Sequence, residues 1–294
     1  LLCASPLFGD EVDSELTGAP GVLREHTRAM IQAGVESGEA LKMTKTMEQN
    51  RFQVENIIRS QEIVMDALEE GLPAGPVMRK AYEGLAKNAR EQDVVNAMER
   101  TRARYSLAYR TARKVTGGAL EKAQTGNAIA EGMAAGLTVR DADRICDRLQ
   151  TRVRDRTRDR TNALARESFM AAREMARYRV PSDVVAETVC TALEQKYEAK
   201  DMEMLRSSFM QNARYGNAAQ LAREYASRIR SGMPSGELGS VGRGGNGQSS
   251  DTSAGAGAGN GSGAGVGSGS GTGGQGGSGN GGKAGSGSGS GGRK

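Results

Sequence analysis

Four times along the chain a Gly or Arg is followed by an aliphatic residue and then a helix-opening residue. The places are "GVESGEAL" at Gly34, "GLPAGPVM" at Gly71, "GLTVRDAD" at Gly136 and "RVPSDVVA" at Arg179, spaced 37, 65 and 43 residues apart. Gly at the first position suits the left-handed turn that ends a helix, because it carries no Cβ. The openings read as caps: Thr138 with Asp141 three residues on resembles a capping box, and Ser37 and Ser182 read as N-caps.

Each start is followed by apolar residues at helical spacing. The stripes are Ala142, Ile145, Leu149, Val153 in the third unit and Val185, Val189, Ala192 in the fourth. A second stripe follows in each unit: Val94, Met98, Thr101, Tyr105, Ala108, then Leu164, Ser168, Ala171, Met175, then Met202, Leu205, Phe209. Steps of four and three mark core-facing helices. The long middle interval, "KVTGGALEKAQTGNAIAEGMAAG", reads as a short helix with Gly117–Gly118 and Gly126 as breaks.

An αα-hairpin of about 40 residues cannot bury its apolar face alone, and stacking neighbours buries it. The expected fold class is therefore all-α: imperfect αα-hairpin repeats forming a short solenoid or an irregular helical bundle. The segment "GLPAGPVMRKAYEGLAK", Gly71 to Lys87, resembles a segment of uncharacterised, exported bacterial helical-repeat proteins, in its order Gly, aliphatic, Pro, then Lys-Ala and a Gly-Leu-Ala-Lys end. The resemblance implies a class and a localisation, and no activity.

The C-terminal segment cannot join such a core. Residues 236–294 contain 27 glycines, no aromatic residue and few large aliphatics, Leu238 and Val266 among them. Too little apolar surface is available there to offset the entropy of ordering, so a disordered Gly-rich tail is expected. At the other end, Leu1 to Phe8 is apolar or small and acidic residues follow Gly9 at once. That reads as the end of a secretory signal, with a mature start near Asp10 and a periplasmic or secreted protein. The expected organisation is a signal remnant at 1–9, an N-terminal segment with a helix at 10–33, a helical repeat domain at 34–235 and the tail at 236–294.

The net charge is +5. The tail accounts for +2 and the body for +3. With both signs read as interleaved along the body, the balance suits a solvated surface better than a nucleic-acid grip. One stretch argues otherwise. "TRVRDRTRDRTN" places Arg152, Arg154, Arg156, Arg158 and Arg160 at alternate positions, a possible polyanion contact if extended. The alignment with the polar connectors "KNAREQ" and "KYEAKD" makes it the turn of a hairpin instead. A single long helix over 137–179 is the other possibility, with Arg152–Asp155 and Arg156–Asp159 as surface pairs.

Chemistry-bearing motifs are sparse. The chain has one histidine, His26, and no CxxC, HxxxH, HExxH or Walker-type loop, so no metal, cofactor or catalytic residue is assigned. Cys146 and Cys190 occupy nearly the same place in adjacent units, so they are either a disulfide bridging the units or two small buried hydrophobes. In "RTRARYSLAYRTARK", Tyr105 lies on the apolar stripe and Tyr109 a step beyond it, towards solvent. No apolar run is long enough to span a bilayer. The expected role is a non-enzymatic binding or scaffolding module of the bacterial cell envelope, with a protein partner and a weak anionic-surface contact through the tail. Two alternatives stand beside it: a cytoplasmic nucleic-acid-binding protein using the Arg-rich segment 140–160 and the basic tail, and an enzyme on an unrecognised helical scaffold.

Overall fold

A computed structural model describes residues 7–153 and 157–241. Residues from 242 onward, Arg154 and Arg156 lie outside the described residues, as does the expected signal remnant up to residue 6. Every described element is helical. In chain order they are α1 (Leu7–Glu15), α2 (Gly21–Gln32), α3 (Ser37–Gln49), α4 (Val54–Glu69), α5 (Ala74–Ala86) and α6 (Glu91–Arg113). Then come α7 (Ala119–Ala134), α8 (Val139–Val153), α9 (Arg158–Arg177), α10 (Ser182–Glu194), α11 (Ala199–Asn212), α12 (Ala218–Arg230) and a closing 3-10 helix at Ser235–Ser240. None of them is long and apolar enough to cross a membrane.

One local device ends most of these helices. Eight finish on a residue with positive φ: Gly34, Arg51, Gly71, Asn88, Gly136, Arg179, Lys196 and Gly232. At each, the next residue donates its backbone N–H five positions back, as Leu72 does to Ala67 and Val180 to Met175. That next residue is apolar in every case and sits in or against the core: Val35, Phe52, Leu72, Ala89, Leu137, Val180, Tyr197 and Met233. This is the Schellman ending, in which the backbone reversal and an apolar contact come together. The four sequence starts are four of these eight. The other four lack the Gly-aliphatic signature or stand on a non-Gly residue.

Much of the packing runs between helices two apart in the chain. α2, α4, α6, α8, α10 and α12 pack each on the next, and α7 packs on α9 and α9 on α11. α6 also packs closely on α5 and α7. The expected stripes are the buried faces: Ala142, Ile145, Leu149, Val185, Val189, Ala192, Leu164, Ser168, Ala171, Met175, Met202, Leu205 and Phe209 are each fully enclosed. A polar trio joins α2, α3 and α4 inside this core. Gln61 Nε2 donates to Thr27 Oγ1 and Thr44 Oγ1 at 3.0 and 2.9 Å, and both hydroxyls donate to carbonyls in their own helices.

Several expectations are corrected. The piece between the second and third units is a full helix, α7, and Gly126 lies inside it rather than breaking it. Gly126 is there because the Tyr109 ring covers it; a Cβ would stand 2.6 Å from ring Cε2. Tyr109 is accordingly buried, its hydroxyl donating to Asn127 Oδ1 at 3.0 Å. The stretch 137–179 is not one helix. Thr157 is extended at φ −66°, ψ 149° and opens α9 afresh. Its two halves also separate: α8 packs on α6 and α10, α9 on α7 and α11.

The caps differ too. Ser37 and Ser182 each stand one residue inside their helices, where Glu36 and Pro181 are the caps. Glu36 accepts from Gly38 N and Glu39 N. The N-terminal segment holds two helices, and Leu23 and Met30 belong to the main core. At the other end Leu238 is fully buried and Val241 nearly so, which brings residues 236–241 into the helical body. Tyr225 Oη donates to Leu238 O, and Asn212 Nδ2 to Gly239 O and Val241 O.

Candidate interaction surface

Of the five arginines of the possible polyanion contact, Arg152, Arg158 and Arg160 are among the described residues. Arg152 turns inward at the end of α8. It donates to the carbonyls of Leu193 and Tyr197 at 3.0 and 3.4 Å and pairs with Glu198 at 3.0 Å. Those carbonyls sit at the C-terminal end of α10, where a cation satisfies exposed acceptors and the helix dipole together. Arg158 and Arg160 are exposed at the start of α9. Arg158 lies over Gly117, while Arg160 lines a shallow cleft with Ala163, Glu198, Ala199 and Lys200.

Cys146 and Cys190 are not bonded to each other in this structure; both are free and buried. The direction in which each thiol points explains it. Cys146 on α8 points back to Thr111 O on α6 at 3.7 Å, and Cys190 on α10 points back to Arg144 O on α8 at 3.8 Å. Cys146 thus points away from α10 and Cys190 towards a carbonyl two residues before Cys146, so neither thiol faces the other. Burial pushes both thiols up to about 11, which keeps them protonated and poorly nucleophilic. His26 is half-buried on α2, and its Nδ1 is enclosed with no hydrogen-bond partner among the described residues.

Asp141, Thr138 and Ser182 form a tight polar knot. Asp141 Oδ2 accepts from Thr138 Oγ1 at 2.7 Å and from Ser182 Oγ at 2.6 Å. Thr138 Oγ1 accepts from Asp141 N, the expected half of a capping box, while Thr138 N donates to Ser182 Oγ instead of closing the box. Burial works against the Asp141 carboxylate. The two hydroxyl donors, with Arg140 and Arg144 nearby, outweigh it and hold the carboxyl below its usual range. A Ser-Asp-Thr knot without a base cannot activate its serine, so this knot ties the start of α8 to the start of α10.

The feature the sequence reading missed is how charge is distributed. The signs are not interleaved along the body. Residues 1–73 carry thirteen acidic and six basic side chains, net −7. Residues 74–181 carry thirteen acidic and twenty-three basic, net +10. A running net charge over windows of helix length would have exposed this.

Packing puts the two regions side by side. On α4, Glu55, Glu62, Asp66 and Glu69 fall on one helical face, 7, 4 and 3 residues apart. On the neighbouring α6 and α8, Arg100, Arg110, Arg113 and Arg144 are exposed and make no ion pair among the described residues. The seams between these helices are stitched by pairs of opposite charge: Arg59–Glu99 at 3.8 Å, Arg102–Glu70, and Lys114–Asp143 at 3.1 Å. The outer face of α8, with Arg140, Asp143, Arg144, Asp147, Arg148 and Thr151, borders a shallow groove of about 620 Å³ that Cys190 also lines.

A second charged band joins α7, α9 and α11. Glu131 and Glu174 share Arg173 and Arg177, and Glu167 is held by Arg166 and Arg206 at 3.2 Å each. Glu167 and Glu174 are buried, while Arg166, Arg177 and Glu131 keep 41, 48 and 37% of their side chains exposed, so the band lies at the surface edge of the helix contacts. Large exposed apolar residues are few and scattered: Val22, Leu120, Val139 and Tyr215. Among the described residues no group of three or more His, Cys, Asp or Glu is placed to hold a metal ion. No known protein family, curated protein or solved structure matches this chain.

Proposed function

We propose that this chain is a non-enzymatic binding or scaffolding module of the bacterial cell envelope, built as a short solenoid of imperfect αα-hairpin units. The observation that carries the reading is the packing of helices two apart in the chain, repeated from α2 through α12. Eight helix ends of one type recur with it. An arrangement of this kind contacts mainly its neighbours in sequence and leaves long outer faces available to partners. Here those faces are charged rather than apolar. Partners would therefore be recognised by charge pattern and surface shape, with specificity and encounter rate gaining more than raw affinity.

Export and the envelope location rest on the apolar start of the chain and on the resemblance of Gly71 to Lys87 to exported helical-repeat proteins. The polyanion alternative is weakened because Arg152 holds the end of α10.

Fractionation of cells expressing the full reading frame, followed by in-cell amine cross-linking and mass spectrometry, tests the reading. Recovery in the envelope or medium, cross-linked reproducibly to one protein, is expected. Recovery in the cytosol with nucleic acid would sink it.

A further inference from the structure

We propose that two copies of this chain associate through the outer face of α4, α6 and α8, the acidic stripe of each copy seated on the basic stripe of the other. The inference goes beyond the envelope reading and does not depend on it.

The argument begins with adjacency. The α4 stripe (Glu55, Glu62, Asp66, Glu69) carries one internal cation, Arg59, which pairs with Glu62 at 3.2 Å. The basic stripe on α6 and α8 is richer in charge than its own neighbours can neutralise. Lys114 is matched by Asp143 and Arg148 by Glu194, whereas Arg100, Arg110 and Arg113 make no ion pair among the described residues, and Arg144 makes none either but lies near Asp141. On the acidic side Glu55 and Glu69 are exposed and make no ion pair among the described residues.

Two unlike patches side by side on one face are self-complementary. A single two-fold axis lying in the contact plane between them brings acid onto base twice. Closure follows, because both copies spend the same face. A head-to-tail arrangement is less well served: residues 182–241, at the far end of the stack, carry eight acidic and seven basic side chains and offer no matching field.

The size is adequate. α4 lies against the first half of α6 (Asn56–Glu91, Arg59–Glu99, Arg102–Glu70) and α8 against its end (Lys114–Asp143), so two helices at about 10 Å spacing, followed along the roughly 34 Å of α6, present on the order of 700 Å² per copy. A standard interface buries about 800 Å² per partner. Guanidinium groups suit the task, because they grip carboxylates through two parallel hydrogen bonds. Among the described residues the large exposed apolar side chains, Val22, Leu120, Val139 and Tyr215, stand at or next to helix starts or in a connector, so the contact is electrostatic and responds to salt.

The test is sedimentation equilibrium of the full chain at about 0.01 M and about 1 M salt, where the Debye length is about 30 Å and about 3 Å. A dimer is expected at low salt, with its dissociation constant rising at least about tenfold at high salt. The pairs Arg100→Glu with Arg110→Glu, and Glu55→Lys with Glu69→Lys, are each expected to leave the chain monomeric. All four positions are exposed, and an unchanged helical circular dichroism spectrum verifies folding.

The deciding arm mixes the two double variants. In a two-fold dimer the altered base of one copy meets the altered acid of the other, while the unaltered stripes meet as before. The mixture is therefore expected to dimerise although neither variant does so alone. A wild-type chain that stays monomeric at low salt overturns the proposal. So does a dimer indifferent to both variants, or a mixture that remains monomeric. Heparin binding by a monomer that never self-associates would assign the basic stripe to a polyanion instead. A failure here leaves the envelope module standing, and a chain found outside the envelope could still form this dimer.

Discussion

The ring of Tyr109 on α6 lies against the backbone of Gly126 on α7, closely enough that a Cβ at 126 would overlap it. The same tyrosine donates its hydroxyl to Asn127, the next residue on that helix. One aromatic residue thus sets both the spacing and the register of α6 and α7.

The first prediction concerns that contact. Gly126→Ala forces the ring or the helix to move and is expected to cost about 1–3 kcal/mol, the usual range for overpacking. Gly132→Ala, whose Cβ would meet Leu137 Cδ2 at 3.4 Å, is expected to cost much less. Urea denaturation midpoints of the two variants check the ordering. Equal midpoints would show that Tyr109 does not hold the helices together.

Helix ends supply the second. Arg51, Arg179 and Lys196 adopt φ near 60° without being glycine. Left-handed backbone costs an L-residue about 1–2 kcal/mol, and glycine returns part of that through its freer unfolded chain. Arg51→Gly or Lys196→Gly is expected to raise stability by about 0.5–1 kcal/mol. Gly136→Ala, at φ 118°, is expected to lower it by more than that. Thermal melts of single variants decide the sign at each position.

Asp141 makes the stability of the body sensitive to acid. Its folded pKa is held below the ordinary 3.8. A depressed carboxyl contributes stability that is fully present above the ordinary value and lost as pH falls through the folded one. Asp141→Ala also strands the hydroxyls of Thr138 and Ser182, and is expected to cost about 1–3 kcal/mol at neutral pH. Its stability should then fall less than that of the parent between neutral pH and acid. Parallel acid limbs in the two denaturation profiles would remove Asp141 from the account.

Cys146 and Cys190 are expected to resist iodoacetamide at mildly alkaline pH in the folded chain and to react once it is unfolded. Burial both raises their pKa to about 11 and blocks access. Peptide mapping of the two positions after a short pulse reads this directly. Rapid native alkylation, or a bridged peptide from unreduced material, would contradict the buried free thiols.

Arg152 separates a structural cation from a binding one. Arg152→Ala removes two hydrogen bonds to the end of α10 and one ion pair, and is expected to cost about 1–3 kcal/mol. Retention on an immobilised polyanion should stay unchanged. A weakened retention with unaltered stability would return Arg152 to the polyanion row.

The apolar stripes were legible because a helix must repeat its buried positions every three or four residues, and Ile145, Val189, Leu205 and Phe209 all fell on the predicted faces. The Gly-aliphatic endings at Gly34, Gly71 and Gly136 were legible for a similar local reason. At Asn88 and Lys196 the polar connectors "KNAREQ" and "KYEAKD" marked the turn but not the left-handed residue, and the ending at Arg51 carried no mark, since nothing local marks a charged residue for left-handed backbone. Gly126 misled, because a glycine that admits a tyrosine ring and a glycine that stops a helix look the same in one dimension. The charge imbalance between residues 1–73 and 74–181 was present in the sequence throughout, but it has meaning only once α4 lies beside α6.

By itself, then, the sequence determined that the body is helical, where most helices turn back and which residues each one buries, since these depend on neighbours within a few positions. Only the tertiary structure decided which helices touch, that Cys146 and Cys190 stay apart, that Arg152 turns to α10, and that the acidic α4 lies beside the basic α6. Those outcomes depend on contacts between residues some 30 to 46 positions apart, and the side-chain pattern within a single helix carries no record of them.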